Sequence, residues 1–440
     1  MSGAPPDVSL AIRSGFGTSG ATLSPAPSAL TQPATAGIAS FLVSIDLAGT
    51  DYALTASSGG FTPVHTSDFE VTEPSGGGAT VHWNSGASGN WSDATKWSTG
   101  VVPTTSDIVA IDFPGTYTVT LDVNATVAGL FLSNPSGSVG FTATSKTLTL
   151  NGASSIGTSS FMTLTNTTIN GSGTLLNENL LTVRGSSAIN LGFTNPDGST
   201  LRIVGSSAGS TANLTFANGF TNGGLLELTS SSGHNATLTV ASGSLTNANT
   251  GIIRPVTDGG GGRTLAAQLD NFGTLELLTG LTVAKAGAQH TSSGLIDATA
   301  ANLTITQTGT TPSFTNTGTI NLDVNRTLTI TGGAVDLSAG LVQGVATSKL
   351  VVAGATLAFT PTTVLVPMTL NTTTLSGPLT IADGEAVTLL NGGLSDAIDI
   401  QAGGTLWAFG TVSLTGALTM PSATSNLRVQ GNSIGSTASL

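Results

Sequence analysis

The segment Leu269-Asp-Asn271-Phe-Gly273-Thr-Leu275-Glu-Leu277 carries the pattern that decides the fold of this chain. The same order of residue types returns in Phe220-Thr-Asn222-Gly-Gly224-Leu-Leu226-Glu-Leu228 and in Phe314-Thr-Asn316-Thr-Gly318-Thr-Ile320-Asn-Leu322. Each copy joins a predicted turn, where Asn and Gly tolerate positive φ, to a short alternating strand. Because side chains alternate between the two faces of a strand, the outer pair should be buried and the middle residue exposed. The predicted buried residues are Leu226, Leu228, Leu275, Leu277, Ile320 and Leu322, and the predicted exposed residues are Glu227, Glu276 and Asn321.

Looser copies of this pattern start at Phe193, Leu245 and His290, which gives a repeat of about 24 residues. A second strand of the form apolar-Thr-apolar lies between the copies, as in Leu238-Thr-Val240 and Leu303-Thr-Ile305. A repeat this short cannot bury its own apolar face, so the copies must stack, and the Asn side chains can form ladders along the stack. The pattern predicts an all-β fold whose body, residues 123–440, is a right-handed parallel β-helix, or β-solenoid, about 60 Å long.

Composition narrows the classes of protein that the chain can belong to. Charged residues are 8% of the chain and hydrophobic residues 39%, a balance that supports a core and differs from that of disordered proteins. The formal net charge of −12 and the absence of a basic cluster in the sequence argue against nucleic acid and anionic membranes as partners. No apolar run approaches the roughly 18 residues of a transmembrane helix. The sequence has no Cys, which excludes disulfides and Cys-based sites.

Residues 1–73 differ from the repeats, because short alternating runs at 39–43 and 52–56 stand between Gly, Pro, Asp and Ser turn signals. The stretch from Gly37 to Val71 resembles the Ig-like repeats of large bacterial surface proteins. The resemblance implies a small Ig-like β-sandwich that lacks its first strands, because only seven residues precede Val8. Residues 74–80 have the Gly- and Ser-rich composition of a flexible linker.

Three of the four Trp residues, Trp83, Trp91 and Trp97, lie within residues 81–122. Together with the Gly, Pro and Asp residues that follow them, they resemble the N-terminal segment of autotransporter-like and other bacterial β-helix proteins. Two interpretations remain open, a cap over the first turn of the solenoid or an aromatic platform on which sugars stack. We expect the cap, because the open end of a solenoid needs a large apolar lid.

Catalytic chemistry has weak support in the sequence. Asp396 and Asp399 are the closest carboxylates in the later repeats, and pectinase-like β-helix enzymes use Asp clusters with a basic partner. No Lys or Arg accompanies this pair in the sequence, and no Gly-x-Ser-x-Gly or Ser-x-x-Lys motif supplies an activated hydroxyl. We therefore expect no catalytic residue.

Metal, phosphate and ice binding are also disfavoured. The four His residues stand apart in the sequence, at His65, His82, His234 and His290. Without ligand spacing they predict no metal site, and we expect no cofactor. The run Asp258-Gly-Gly-Gly-Gly-Arg263 lacks the Gly-Lys-Ser/Thr ending of a phosphate loop and predicts a loop insertion. Thr-x-Thr steps such as Thr147-Leu-Thr149, Thr237-Leu-Thr239 and Thr327-Leu-Thr329 are spaced too irregularly to predict an even, ice-binding array.

These patterns favour a non-enzymatic structural or adhesive component of a secreted or cell-surface bacterial protein, which presents or spaces a binding surface. Its expected partners are glycans or molecules of a host or neighbouring cell surface, and no insertion into a membrane is expected. The alternative is a carbohydrate-active β-helix enzyme of the polysaccharide lyase or hydrolase kind, which a convergent cluster of acidic and basic side chains on one face would favour. Neither end of the sequence shows an export signal or anchor, so we expect an extracellular segment of a longer polypeptide.

Overall fold

The computed structural model describes residues 7–17, 21–24, 30–34, 37–41, 43–45, 49–71, 78–134, 136–256, 258–394 and 396–431. The chain divides into two compact units, Met1–Gly78 and Ala79–Leu440. Residues 74–77 of the predicted linker and residues 432–440 of the predicted solenoid lie outside the described residues. The described residues contain no α-helix, and a 3₁₀ turn occurs at Ala94–Lys96. The prediction of an all-β fold is confirmed.

The first unit is a small antiparallel β domain. Its described strands are β1 (Asp7–Ile12), β2 (Leu23–Ser24), β3 (Thr31–Pro33), β4 (Ser44–Ile45), β5 (Gly49–Tyr52), β6 (Leu54–Ser58), β7 (Val64–His65) and β8 (Phe69–Val71). They form one sheet in the order β3-β1-β6-β7 and the antiparallel pairs β2–β4 and β5–β8. Tyr52 is buried and stacks on Phe69, with 6.2 Å between the ring centroids. The small β domain is as predicted, and its Ig-like identity stays a prediction.

The second unit is a stack of parallel strands that begins at Val81. The first strands are β9 (Val81–His82), β10 (Gly89–Asn90), β11 (Ile108–Ile111), β12 (Gly115–Leu121), β13 (Ala125–Val127), β14 (Gly129–Leu132), β15 (Gly137–Thr144), β16 (Thr147–Leu150), β17 (Ala153–Ile156), β18 (Ser160–Thr165), β19 (Thr168–Asn170), β20 (Thr174–Asn177), β21 (Leu180–Arg184), β22 (Ser186–Ile189) and β23 (Gly192–Asn195). The next are β24 (Thr200–Gly205), β25 (Ala212–Phe216), β26 (Phe220–Asn222), β27 (Leu225–Ser230), β28 (Ala236–Asn247), β29 (Ile252–Pro255), β30 (Arg263–Asn271), β31 (Thr274–Glu276), β32 (Leu281–Ala284), β33 (Gln289–Ser292), β34 (Leu295–Ala298), β35 (Leu303–Thr306) and β36 (Ser313–Asn316). The last are β37 (Thr319–Leu322), β38 (Thr327–Thr331), β39 (Ala334–Asp336), β40 (Leu341–Gln343), β41 (Lys349–Ala353), β42 (Thr356–Ala358), β43 (Met368–Asn371), β44 (Thr374–Leu375), β45 (Leu379–Ile381), β46 (Ala386–Leu394), β47 (Ile398–Ile400), β48 (Thr405–Leu414), β49 (Leu418–Thr419) and β50 (Asn426–Gln430).

Most turns of this stack place one strand on each of three parallel sheets. Sheet 1 has the order β10-β12-β15-β18-β21-β24-β27-β29-β31-β34-β37-β40, and β45, β47 and β49 form a separate sheet at the same place in later turns. Sheet 2 contains β13, β16, β19, β22, β25, β32, β35, β38, β41, β43 and β50, and sheet 3 contains β9, β11, β14, β17, β20, β23, β26, β33, β36, β39, β42 and β44. The long strands β28, β30, β46 and β48 bend round the corner and belong to both sheets 2 and 3. The β-solenoid is therefore confirmed, with about 15 turns, which at about 4.8 Å per strand spacing extend for about 70 Å.

The predicted register of the repeats is confirmed. Leu226, Leu228, Leu275, Leu277, Ile320 and Leu322 all lie in the core, with no more than 3% exposure. The looser copies align as well, since Phe220 pairs with Leu245, which pairs with Leu269. Glu227, Glu276 and Asn321 point outward as predicted, but each is only partly exposed. The predicted outward direction of these three residues is confirmed, and their exposure is reduced because neighbouring turns supply polar partners to their side chains.

The Asn of the repeat lies in a strand and not in a turn. Asn222 and Asn271 end strands of sheet 3 with their side chains buried in the core. Glycine follows them because backbones approach closely there, since a Cβ on Gly273 would overlap the carbonyl oxygens of Ala248 and Gly251. Positive φ, the reason inferred from the sequence, is not involved at these positions.

The buried asparagines form the predicted ladder. In each step an Asn Nδ2 donates to the Oδ1 of the next Asn, at 2.7 or 2.8 Å, through Asn177, Asn195, Asn222, Asn247 and Asn271. The ladder then meets Ser292, whose Oγ accepts from Asn271 Nδ2 at 3.2 Å. Buried amides that satisfy one another in this way stabilise a unique register, because a shifted strand would leave them unpaired.

Turns of different length share this register. Eighteen residues separate Asn177 from Asn195 and 27 separate Asn195 from Asn222. More than half of the extra residues lie in the loop between sheet 1 and sheet 2, which is residue 185 in the shorter turn and residues 206–211 in the longer one, and loops at 231–235 and 258–262 occupy the same corner in later turns. This corner therefore absorbs most of the difference in length, and the strands remain aligned.

Candidate functional site

The three Trp residues of the first turn lie inside the stack. Trp83, Trp91 and Trp97 are all buried. The Trp97 ring packs edge-on against Trp83 and Trp91, with centroid distances of 4.9 and 4.8 Å, and its Nε1 donates to the Trp91 carbonyl oxygen at 2.8 Å. Trp91 also contacts Phe141 at 6.0 Å between centroids. A buried cluster offers no ring face to a sugar, so the platform interpretation is wrong, and these side chains fill the first turn of the core.

Asp396 and Asp399 flank the start of β47 without a basic partner. Asp399 Oδ1 accepts a hydrogen bond from Thr419 Oγ1 at 2.7 Å, and Oδ2 accepts one from Gln401 Nε2 at 3.4 Å. The ion pairs of the described residues involve neither carboxylate. This geometry supplies no cation to stabilise a developing negative charge, and the absence of catalysis stays a prediction.

The four histidines lie in four different environments. His65 is exposed on β7, His234 is in a corner loop, and the Nδ1 of His82 lies 3.0 Å from Asp112 Oδ2. His290 is in the core. Within the described parts of the chain, no three His, Asp or Glu side chains are grouped so that they could hold a metal ion.

His290 takes a place that apolar residues hold in other turns of sheet 3. It aligns between Leu269 and Phe314 in the stack, and its Nδ1 accepts a hydrogen bond from the Leu269 backbone N–H at 3.2 Å. Burial lowers the pKa of His290 to about 4. The ring is therefore neutral at pH 7 and acts as a core residue.

The glycine-rich loop wraps around the side chain of Arg263. The guanidinium is buried and donates to backbone carbonyl oxygens at 2.9 to 3.1 Å, those of Leu228, Val256, Asp258, Gly260 and Gly261. Burial lowers the pKa of Arg263. Because the loop presents carbonyl oxygens to a cation of its own chain, it does not form a cradle of N–H donors for phosphate. This agrees with a loop insertion.

A charged column runs along the outer face of sheet 1, and the sequence did not predict it. The column is formed by Arg202, Glu227, Arg254, Glu276 and Asp297 on consecutive strands. Arg202 Nε lies 2.6 Å from Glu227 Oε1, and Arg254 Nε lies 2.7 Å from Glu276 Oε2. Asn321 and Gln343 continue the column, joined by a hydrogen bond of 2.9 Å. Strand register brings together residues that are more than twenty positions apart in sequence.

Outward threonines form an ordered column on sheet 2, which corrects the argument from irregular spacing. Thr237, Thr264, Thr282, Thr304 and Thr329 are register partners on consecutive strands. The parallel column is mixed, because Ala266 and Ala284 stand between Thr239 and Thr306. The outward positions are thus regularly spaced, but alanine occupies two positions of the second column that an even threonine array would need.

An outward aromatic pair lies near the C-terminal end of sheet 2. Trp407 and Phe409 on β48 have ring centroids 5.9 Å apart with nearly parallel planes, and the Arg428 guanidinium carbon lies 4.7 Å from the Trp407 ring centroid. Both rings are partly exposed. The alternation of Leu406 and Ala408 with these aromatics is the signal in the sequence that predicts an outward pair.

The outer surface of the second unit has a depression on sheet 3. This depression of about 170 Å³ lies between β36 and β44. Its lining is mainly Ser, Thr and Ala, with Asp336. No helix in the described ranges is long and apolar enough to cross a membrane.

Comparison with known proteins adds no identity to this geometry. The chain matches no protein-family model, no curated protein and no solved structure.

Proposed function

We propose that this chain is a non-enzymatic structural or adhesive component of a secreted or cell-surface bacterial protein. The observation that carries the proposal is the stack itself, about 15 turns on one continuous hydrophobic core. Each turn contacts only its neighbours, an arrangement that produces an extended and stiff body. A body of this kind holds a binding surface at a fixed distance from the rest of the polypeptide.

The adhesive part of the proposal is assigned to Trp407 and Phe409. Partly exposed aromatic rings are suited to stacking on sugar rings, because they combine apolar area with low conformational entropy. Arg428 adds a cation beside them, and Thr388 and Leu390 lie next to them on β46. Glycans of a host or neighbouring cell surface are the proposed ligands, and an extracellular location is part of the same proposal.

The test is binding of the 440-residue chain to a glycan array and to immobilised polysaccharides. Trp407→Ala with Phe409→Ala should weaken the apparent affinity by about tenfold or more, since lost stacking on one ring is worth roughly 1 kcal/mol. Val351→Ala, an outward apolar residue earlier on sheet 2, is the matched control and should bind as the wild type does. Equal binding by the wild type and the aromatic double variant would show that Trp407 and Phe409 are not part of the adhesive surface.

A carbohydrate-active enzyme is the second candidate, and the charged column favours it. Glu276 and Asp297 are register partners, and Arg254 lies beside Glu276, so two carboxylates and a cation converge on sheet 1. However, Glu276 is engaged by Arg254, and the depression that Asp336 lines lies on sheet 3 and not beside these carboxylates. We therefore favour the structural role over the enzyme.

The enzyme is tested with acidic and neutral polysaccharides, with and without Ca²⁺, by following reducing ends and unsaturated products. We expect no turnover. Turnover that Glu276→Gln, Asp297→Asn or Asp399→Asn abolishes, and that Asp336→Asn leaves intact, would replace the structural proposal by the enzyme.

A further inference from the structure

Between β22 and β33, the outward apolar strand residues larger than Ala lie on sheet 1. One outward column there contains Phe161, Leu180, Thr200, Leu225, Ile252, Thr274, Leu295, Thr319 and Leu341 as successive register partners. On the strands of sheets 2 and 3 from β22 to β33, the outward residues are Thr, Ser, Asn, Gln, Ala and Gly, with Asp270. A face that differs in this way from its neighbours is a candidate interface.

The charged column lies beside the apolar column, two residues further along each strand. Its first four members are Arg202, Glu227, Arg254 and Glu276, whose charges alternate, and Asp297 follows Glu276. The side chains are partly buried, and only 15% of the Glu227 side chain is exposed. The corner loops border this face, where Val204 and Thr229 of the outward series are buried. The exposed part of the face is therefore a strip of two columns.

The strip is complementary to itself when its direction is reversed. An alternating series of four charges reads with opposite signs from the other end. Rotation about an axis parallel to the strands and midway between β27 and β29 places Arg202 opposite Glu276 and Glu227 opposite Arg254. The same rotation places Leu225 opposite Ile252, Thr200 opposite Thr274, and Leu180 opposite Leu295. Asp297 then lies opposite the buried, uncharged Thr182, so one two-fold operation brings no like charges together in either column.

We propose that two copies of this chain associate face to face and antiparallel through the outer strip of sheet 1. In this dimer the apolar columns pack on each other, and the two intramolecular Arg–Glu pairs of each copy meet those of the second copy with opposite charges in register. A parallel arrangement would place like charges opposite each other, which selects against it. The dimer goes beyond the proposed scaffold function and does not depend on glycan binding.

The size of the strip sets the expected strength of the dimer. Eight strands of sheet 1, β18 to β37, extend for about 38 Å, and a width of about 13 Å gives about 500 Å² per copy. A total buried area of about 1,000 Å² is at the lower end of the range for specific protein interfaces. We therefore expect a reversible dimer that forms as the protein concentration rises.

Charge exchange tests the pairing. Arg202→Glu with Arg254→Glu makes the column wholly acidic, and Glu227→Arg with Glu276→Arg makes its first four positions basic and leaves Asp297 as its acidic residue. Sedimentation of the full chain from about 1 to 100 μM should show dimers for the wild type and a Kd raised at least about tenfold for each double variant alone. An equimolar mixture of the two variants should restore dimers. A wild type that stays monomeric, variants that dimerise like the wild type, or a mixture that stays monomeric would overturn the proposal.

A second pair of variants leaves the ion pairs intact. Leu225→Lys places a cation in the centre of the apolar column and should abolish the dimer, whereas Val351→Lys, on the outer face of sheet 2, should leave it unchanged. Circular dichroism and melting temperatures report whether each variant is folded. Loss of the dimer in both Lys variants, or in neither, would contradict the assigned face even if the charge variants fail to fold.

Discussion

At Leu277 and Glu276 one step along the chain separates the core from the surface. Leu277 is 1% exposed, and Glu276 points outward into its ion pair with Arg254. Leu277→Asp should cost about 4 kcal/mol of unfolding free energy, because it places an unpaired carboxylate in the core. Glu276→Ala should cost between about 0 and 1 kcal/mol, the usual range for a solvated ion pair. Urea denaturation measures both, and similar costs would contradict the register.

His290 gives the stability of the protein a dependence on pH. Its pKa is about 4 in the folded chain and ordinarily 6.5 for an exposed histidine, so the unfolded chain binds more protons between these values. The stabilisation is complete above pH 6.5 and is lost as the pH falls to about 4, by the order of 3 kcal/mol. The carboxyl of Asp107, whose pKa is held below 3.8 chiefly by hydrogen bonds from Thr104, loses its contribution only at lower pH.

The measurement is the unfolding free energy at several pH values from 7 to 4. His290→Phe should be less sensitive to pH in this window, because Phe cannot titrate and resembles Phe314 of the next turn. An identical pH profile for the wild type and the variant would remove His290 as the cause.

At the scale of the element, the Asn ladder joins five strands of sheet 3. Asn222→Ala should lower the free energy of unfolding by about 3 kcal/mol. The change removes the donor to Asn247 Oδ1 and the Oδ1 that accepts from Asn195 Nδ2. Asn170→Ala is the matched control, since its Oδ1 accepts from Asn190 Nδ2 at 2.7 Å on the exposed side. The control should cost less than about 1 kcal/mol. Thermal melting that ranks the control as the more damaging change would refute a structural role for the ladder.

The ladder also predicts a stabilising change. Ser292 interrupts it, and the buried Oδ1 of Asn316 in the next turn has no hydrogen-bond partner among the described residues. Ser292→Asn should extend the ladder and add about 1 kcal/mol of stability. Ser293→Asn, at the exposed neighbouring position, should have little effect. A lower melting temperature for Ser292→Asn would show that the core has no room for the longer side chain.

The elements that the sequence predicted are those specified locally. The alternation around Leu226 and Leu275 defines which face is buried, whatever the distant partners are. The charged column could not be predicted, because Arg202 and Glu227 meet only after two turns of different length are aligned. The strand position of Asn222 was missed for a related reason, since Asn and Gly together resemble a turn and only stacking places the amide inside.

For the whole molecule, the division into Met1–Gly78 and Ala79–Leu440 predicts independent folding of the second unit. Residues 79–440 alone should give a far-UV circular dichroism spectrum with strand signal and less than about a fifth helix, and should melt close to the full chain. A truncated protein that lacks a cooperative transition would show that the first unit is needed for the stack to form.

Because of the corner loops, the length of the solenoid does not depend on the number of residues in each turn, whereas in many fibrous proteins length follows the number of residues. A turn with 18 residues and a turn with 27 residues each advance the stack by one strand spacing, about 4.8 Å. Insertions at this corner therefore thicken the body locally, whereas duplication of a complete turn lengthens it by a fixed increment. The length of the solenoid is therefore set by the number of its turns. Gene duplication of complete turns can change this length in steps of one strand spacing and leave the core unchanged.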